Sequence, residues 1–450
     1  MVSVFLGTAF GQGMDDSSGP ILLNYATLQK KVAKSDADIA NEKKAQSAKT
    51  WLSRGKLFQD VDNQGLEQAT LGMDKKTLTL FYNEPVSKET TDDNTEIYIY
   101  DHIKYYFQDG RLRGWERIDP IHSNPLDEAL KSYKKAVDLT EAEKQLKVEE
   151  KIKKDLDELK SQYLRFGLNK YYLKDFGAAL KSFESILAVE EFAIYEGVVD
   201  TTMINYSGIT ARDMGASLLQ QDKPEEAKKM YLKAINYYKQ LAAVGFGGST
   251  VYRQMTGDYY MIGDTLGAIQ NLKDGLEQYP DSSTLVSLAA QAYYQLKDNE
   301  EGLKFIEDRI EKRPKCAVAY YWKGLFITNK ENVEEETIQQ ALALYDSSLM
   351  FNPLDGNVWY QSGYVNYAVG ANYFEQEGYE EDPDFRKELN AKGNEYYEVA
   401  VEKLEKTYEV ANGNQVLMRE SLDLLKRIYY KLYGSEDERY ISVTTRMKEL

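Results

Sequence analysis

Residues 252–314 read YRQMTGDYYMIGDTLGAIQNLKDGLEQYPDSSTLVSLAAQAYYQLKDNEEGLKFIEDRIEKRP. Ala268 and Gly302 stand 34 positions apart in this stretch, and so do Pro280 and Pro314, each proline 12 positions after its small residue. Each 34-residue period holds two apolar patterns of helix length. A pair of helices cannot bury its apolar face alone, but stacked on similar pairs it can. The period therefore predicts an all-α solenoid of helical hairpins.

Bulk composition agrees with that reading and narrows the chemistry. The chain has 450 residues, 42% hydrophobic and 29% charged, with a formal net charge of −17. That length suffices for several cores or for one elongated array, and the period favours the array. An acidic chain is a poor binder of nucleic acid, because phosphate contact needs a concentrated positive stripe. The single cysteine, Cys316, excludes an intrachain disulfide and a thiolate metal cluster. With His102 and His122 as the only histidines, a histidine metal site or pH switch has almost no material, and no cofactor is expected. Tyrosine, by contrast, occurs 36 times, for packing or for a tyrosine-lined surface.

Working outward, residues 1–20 open with a short apolar stretch that ends in small residues. It is too short to span a membrane and lacks a basic leader. It reads either as the tail of a signal peptide, with cleavage near Ala9-Phe10-Gly11, or as a disordered tail. The first reading predicts a periplasmic or secreted protein and the second leaves the cytoplasm open.

Residues 21–450 read as one array. A helix is expected from about Leu23 to Val32, and in 49–59 Trp51, Gly55 and Phe58 share a helical face. Residues 74–118 interrupt this first repeat: TLTLFY (77–82) and TEIYIYDHIKYYFQDG (95–110) look β-like, with a polar turn or mobile loop at 85–94. A two-stranded hairpin, or a strand plus a short helix, is expected there. The matching second helix follows at 125–138, with Ala129, Tyr133 and Ala136 on one face. Residues 141–160, rich in Glu, Lys and Asp, predict a solvated helix.

Further hairpins follow at Tyr163, Phe166 and Gly167 with Ala179, Phe183 and Ile186, and at Gly215 with Ala227, Tyr231 and Ala234. Glycines 245, 247 and 248 then break the period. No Lys-Ser/Thr follows them, so they are read as a helix–helix connection and not as a phosphate loop. Beyond the regular core come Tyr320 and Gly324 with Ala341 and Tyr345, their turn lengthened by five residues near Glu331–Glu335. Cys316 reads there as a small buried or boundary residue. A unit at Trp359 and Gly363 runs on to a partner helix at about 386–409, across an acidic connection, EQEGYEEDPDF, read as solvated linker because it lacks the ligand pattern of a calcium loop. Helices at about 414–432 and 436–448 close the array.

Small residues (Gly167, Gly215, Ala290, Gly324, Gly363) let the second helix of each pair approach the first, and small residues on the second helix (Ala129, Ala179, Ala227, Ala268, Gly302, Ala341) answer them. Larger side chains there would overpack by about 1–3 kcal/mol per site. Bulky residues (Tyr163, Phe183, Tyr231, Leu272, Tyr320, Tyr345, Trp359) are expected to fill the volume between.

In these positions the chain resembles the tetratricopeptide-repeat (TPR) family: W-x-x-R-G-x-x-F at 51–58, F-G…Y-x-x-x-D-F-x-x-A-L-x-x-F at 166–183, and G…KPEEAKKMYLKAI at 215–235. Thr256 and Ala290 depart from it where the family has glycine, and Gly302 where it has alanine. The leader, tyrosine excess and inserts are similar to secreted or periplasmic TPR proteins of Bacteroidetes-type bacteria. The resemblance implies a right-handed superhelix of about seven to eight hairpins whose concave face, lined by the first helices, holds a peptide or partner segment.

A non-catalytic protein-interaction or assembly scaffold is the leading expectation, with no membrane span and with envelope association open. First-helix residues free of packing duty are expected to face the groove: Asn169, Lys170, Arg212, Gln254, Tyr259, Gln291, Lys323, Gln361 and Asn366. A glycan-binding envelope protein is the alternative, prompted by the aromatic supply. An enzyme built on Asp101, His102 and Glu116 of the insert ranks last, because neighbouring residues in a strand point to opposite faces. Oligomeric state and partner identity do not follow from the residues.

Overall fold

The computed structural model describes residues 23–329, 333–411 and 413–450. The leader read at 1–20 lies outside them. The described residues are almost wholly α-helical, with hairpins packed as repeats in two compact units that divide at Phe246 and Gly247. This is the break of period at the glycines: Gly245, Gly247 and Gly248 take φ values of 70°, 77° and 58°, a region open to glycine at little cost.

In the N-terminal unit, α1 (Tyr25–Ala40) and α2 (Glu42–Ala45) lead into α3 (Ala48–Asn63). An insert follows, made of α4 (Lys75–Tyr82) and the strands β1 (Ser87–Thr90), β2 (Glu96–Ile99), β3 (Ile103–Gln108) and β4 (Arg111–Arg117). Helix α5 (Pro125–Asp138) then returns to pair with α3. Two hairpins complete the unit: α6 (Ala142–Tyr172) with α7 (Phe176–Val189), and α8 (Thr201–Gln220) with α9 (Pro224–Ala243).

The C-terminal unit pairs α10 (Ser249–Met261) with α11 (Thr265–Gln278), α12 (Ser283–Gln295) with α13 (Asn299–Lys312), and α14 (Ala317–Thr328) with α15 (Glu335–Phe351). Longer helices α16 (Gly356–Tyr379) and α17 (Pro383–Val410) form the next pair, and α18 (Gln415–Tyr433) with α19 (Glu438–Glu449) the last.

Five of the hairpins are locked by one small residue under one large one. A β-carbon on Gly55 would lie 2.7 Å from the Tyr133 ring, on Gly167 2.6 Å from Phe183, on Gly215 3.0 Å from Tyr231 and on Gly324 2.5 Å from Tyr345. Those four rings are all buried, and each stands four residues, one helical turn, after the small residue of its own helix (Ala129, Ala179, Ala227, Ala341). Gly363 meets Leu404 in the same way. Gly302 does something else: its missing side chain admits Phe326 of the following hairpin, whose ring would lie 2.4 Å from an added β-carbon. That explains a glycine where the other repeats carry alanine.

Tyr320 and Trp359 are half-buried and do not fill the core as expected. With Trp51 they stand four residues before the small residue of a first helix, and each bonds the carbonyl six residues back. Trp51 Nε1 donates to Ala45 O at 2.8 Å, Tyr320 Oη to Pro314 O at 2.9 Å and Trp359 Nε1 to Pro353 O at 2.9 Å. Their polar tips thus clasp the entry of the helix.

Two other expectations are corrected. Residues 77–82 are helical, because Asp74 caps the segment by accepting from Thr77 N at 3.0 Å and Leu78 alone is buried, a one-sided pattern. The insert is therefore a helix plus a four-stranded antiparallel sheet in the order β1-β2-β3-β4, with β1 lying in the expected loop 85–94. The sheet has its own core of Leu66, Leu78, Tyr98, Ile103, Tyr105, Phe107, Leu112 and Trp115. Residues 141–160 do form a largely exposed helix, the first part of the 31-residue α6, which buries only a narrow stripe that includes Ile152, Leu156 and Leu159. Their spacing continues to Tyr163 as an apolar stripe that the surrounding charge conceals.

Candidate functional site

The repeats of the C-terminal unit bring together the N-terminal turns of α12 and α14 and the residues that lead into α16. A groove of about 900 Å³ runs across them. One wall is Ser283, Thr284, Ser287 and Leu288 of α12; the other is Cys316, Ala317 and Val318 at the start of α14. Asn352 and Asp355 close one end, and Pro280, Asp281, Lys312, Arg313, Pro314 and Lys315 form the rim.

The walls are held from behind. Trp322 Nε1 donates to Ser287 Oγ at 3.1 Å and ties α14 to α12, while Ser348 Oγ donates to Ala317 O at 2.9 Å and ties α15 to α14. Arg309, buried beneath the rim, donates to Pro280 O. Arg313 pairs with Asp281 at 2.8 Å and Lys312 with Asp308 at 2.7 Å, whereas Lys315 has no ion pair among the described residues. Asp355 caps α16 by accepting from Asn357 N at 3.1 Å. The surface is thus an apolar strip of Leu288, Ala317 and Val318 edged by hydroxyls, two carboxylates and one uncommitted ammonium. Such a surface suits an extended chain, with apolar side chains on the strip and polar backbone met at the edges.

None of the nine expected groove residues lines this cavity. Gln291 is exposed on α12, three residues beyond Leu288 and on the same helical face. Asn169 is buried with both amide atoms engaged, Oδ1 accepting from Trp115 N at 2.8 Å and Nδ2 donating to Trp115 O at 3.1 Å. Its work is to hold strand β4 against α6. Lys170 pairs with Asp175 at 3.2 Å, Lys323 with Glu307 at 2.9 Å, and the Arg212 guanidinium lies 4.9 Å from the Tyr238 ring centre. Gln254, Tyr259 and Gln361 are half-buried.

Asn366 is buried, donates to Ser362 O at 2.8 Å and lines a separate recess of about 410 Å³ among α15, α16 and α17. There Tyr373 and Tyr396 stack at 5.8 Å, Tyr373 Oη donates to Glu335 at 3.0 Å, and Gln339 Nε2 donates to Tyr396 Oη at 2.7 Å. Burial, then Glu335, raises the pKa of Tyr373.

The residues that do line the groove precede the small residue Ala290 on α12, Ser283-Thr284 by about two turns and Ser287-Leu288 by less than one. Their signal was the run of hydroxyl residues just after Pro280-Asp281. Cys316 is a half-buried boundary residue, the N-cap of α14. In the insert, His102 does not face Asp101 or Glu116. Its Nδ1 lies 2.8 Å from Asp119 Oδ1, and its ring stacks on Tyr25 at 3.7 Å; Glu116 instead accepts from Tyr106 Oη at 2.8 Å.

No protein-family model matches the chain, and no curated protein matches it either. Solved structures are similar to it at low identity and over part of its length. A TPR repeats protein from Bacteroides fragilis is 14% identical, with 59% of this chain and 97% of that one covered and a TM-score of 0.30. The C-terminal part of a TPR repeat-containing protein from Cytophaga hutchinsonii is also 14% identical, covering 64% and 95%, with a TM-score of 0.35. A monomeric IFIT1 mutant with Gppp-AAAA is 14% identical with a TM-score of 0.37, and the match spans 72% of this chain and 66% of the other. Among the described residues no helix is long and apolar enough to cross a membrane, and no cluster of His, Cys, Asp or Glu could hold a metal ion.

Proposed function

We propose that the chain is a non-catalytic binding scaffold whose C-terminal unit holds an extended segment of a partner protein against α12 and α14. The observation that supports this most is the groove of about 900 Å³, which crosses consecutive first helices and is edged by Ser283, Thr284, Ser287 and Lys315. Helical repeats offer such a surface because each contributes the same turn to one side. A fixed backbone also lowers the ordering cost of binding, since only the incoming segment must be immobilised.

The test is selection of binding peptides from a displayed library on the full chain, followed by titration against Thr284→Arg and Val318→Arg. Each substitution places a long cation in the groove without touching the hairpin locks. Affinity should fall about tenfold or more, on the scale of losing one well-placed contact. A library that yields no binder, or binders indifferent to both substitutions, would discard the reading.

A further inference from the structure

A second concavity, in the N-terminal unit, has an electrostatic character opposite to that of the chain. A cleft of about 650 Å³ lies between α1 and α3, closed at one end by α2. Its lining carries Lys31, Lys34, Lys44, Lys49, Arg54 and Lys56, against the carboxylates of Asp38 and Asp60. In a protein of net charge −17 this concentration of cations is out of keeping with the average surface.

Not all of those cations are engaged. Arg54 is buried and committed, with Nη1 donating to Ser35 at 2.9 Å and to Asp36 at 2.8 Å and Nε to Glu128 at 2.8 Å. Lys56 pairs with Glu158 at 2.8 Å and Lys44 with Asp38 at 2.6 Å. Lys31, Lys34 and Lys49 are exposed and form no ion pair among the described residues. Of the two lining carboxylates, Asp38 is thus already neutralised, and Asp60 is half-buried on the α3 side. The N-terminus of α3 opens into the same cleft: Ser47, its N-cap, gives it no side-chain hydrogen bond, so its partial positive charge is uncompensated there.

We propose that this cleft docks an acidic segment of a partner protein, a run of Asp and Glu side chains in extended form. The spacing of the free charges selects that ligand over a single small anion. Lys49 stands in the first turn of α3, while Lys31 and Lys34 stand on α1, three residues or about 4.5 Å apart along its axis. A lone phosphate needs donors converging on one point, and the only guanidinium in the lining is already taken by Asp36 and Glu128. Separate ammonium groups along two helices match separate carboxylates along a chain. Lysine ammoniums near an open surface act mainly by steering, so the interaction should be strongly salt-dependent.

Fluorescence anisotropy of a labelled deca-glutamate peptide on the full chain tests the assignment, with labelled deca-lysine as the control. Deca-glutamate should bind at low salt, weaken about tenfold or more by about 0.3 M salt, and lose binding in the Lys31→Glu, Lys34→Glu, Lys49→Glu triple variant. The neutral triple variant, with glutamine at the same positions, should weaken to a lesser degree while circular dichroism stays unchanged. Thr284→Arg in the C-terminal groove should leave deca-glutamate binding intact, which separates this site from the one proposed above. Deca-glutamate binding that is absent, that survives both triple variants, or that inorganic phosphate displaces at equal charge concentration would overturn the proposal.

Discussion

Lys297 ends α12 at a φ of 58°, in the left-handed region where a side chain costs about 1–2 kcal/mol. The conformation is required because Asp298 N reaches back to Tyr293 O at 3.1 Å and closes the helix end. Lys174 and Asp222 occupy the same position in their own hairpins, with Asp175 N on Lys170 O and Lys223 N on Leu218 O, and Gly263 shows the residue best suited to it. Replacing Lys297 or Lys174 by glycine should therefore stabilise the protein by about 0.5–1 kcal/mol, after the extra freedom of glycine in the unfolded chain is charged against it. A urea midpoint that falls would contradict this account of the turn. The opposite sign is expected at Gly324, where an added β-carbon would sit 2.5 Å from the buried Tyr345 ring. Gly324→Ala should destabilise by about 1–3 kcal/mol, because the ring has no free side to retreat to. Equal midpoints for Gly324→Ala and the parent chain would mean that the lock is looser than the geometry requires.

At the scale of elements, the hairpins were legible because they repeat. One small residue and one ring in register leave the same mark at Gly167, Gly215 and Gly324, and a period can be read without knowing what touches what. The insert does not repeat, and there local composition misled: TLTLFY is rich in strand-forming residues, yet the Asp74 cap and the single buried Leu78 make it helical. The groove was only half legible. First helices were expected to line it, but which of their turns meet a cavity depends on how neighbouring hairpins rotate, and no single helix records that. Asn169 shows the cost: polar, on a first helix and outside the packing set, it looked free, but its partner is the backbone of a strand 54 residues away. Its amide is one of the ties between insert and repeat. Asn169→Ala should leave the buried Trp115 N–H and carbonyl unmet, at a cost of about 1–3 kcal/mol. Hydrogen exchange at the Trp115 amide should accelerate while exchange in α12–α15 stays unchanged. Unaltered protection at Trp115 would show that the strand is held by its sheet alone.

Over the whole molecule, tyrosine is the residue on which stability depends at high pH. The chain has 36 tyrosines, and many are core residues whose hydroxyls are removed from water. Burial pushes the phenols of Tyr321, Tyr397 and Tyr429 up to about 12, and raises those of Tyr133, Tyr163 and Tyr345 further. In the unfolded chain each would ionise near its ordinary value of about 10. Below that pH both states keep the proton, and the contribution of these groups to stability is fully present. As pH rises from about 10 through the folded values, the unfolded chain releases protons that the folded chain retains, so unfolding becomes progressively more favourable. Because these rings lie in both units, the losses add across the molecule. Alkaline titration should therefore show tyrosinate absorbance and loss of helical circular dichroism rising together, above the pH at which free tyrosine ionises. The net charge of −17, which each ionisation makes more negative, pushes in the same direction, so added salt should move the transition to higher pH. A smooth tyrosinate titration centred near the free value, with helix content intact, would mean that the rings are open to water and that the hairpins are held by something other than these buried phenols.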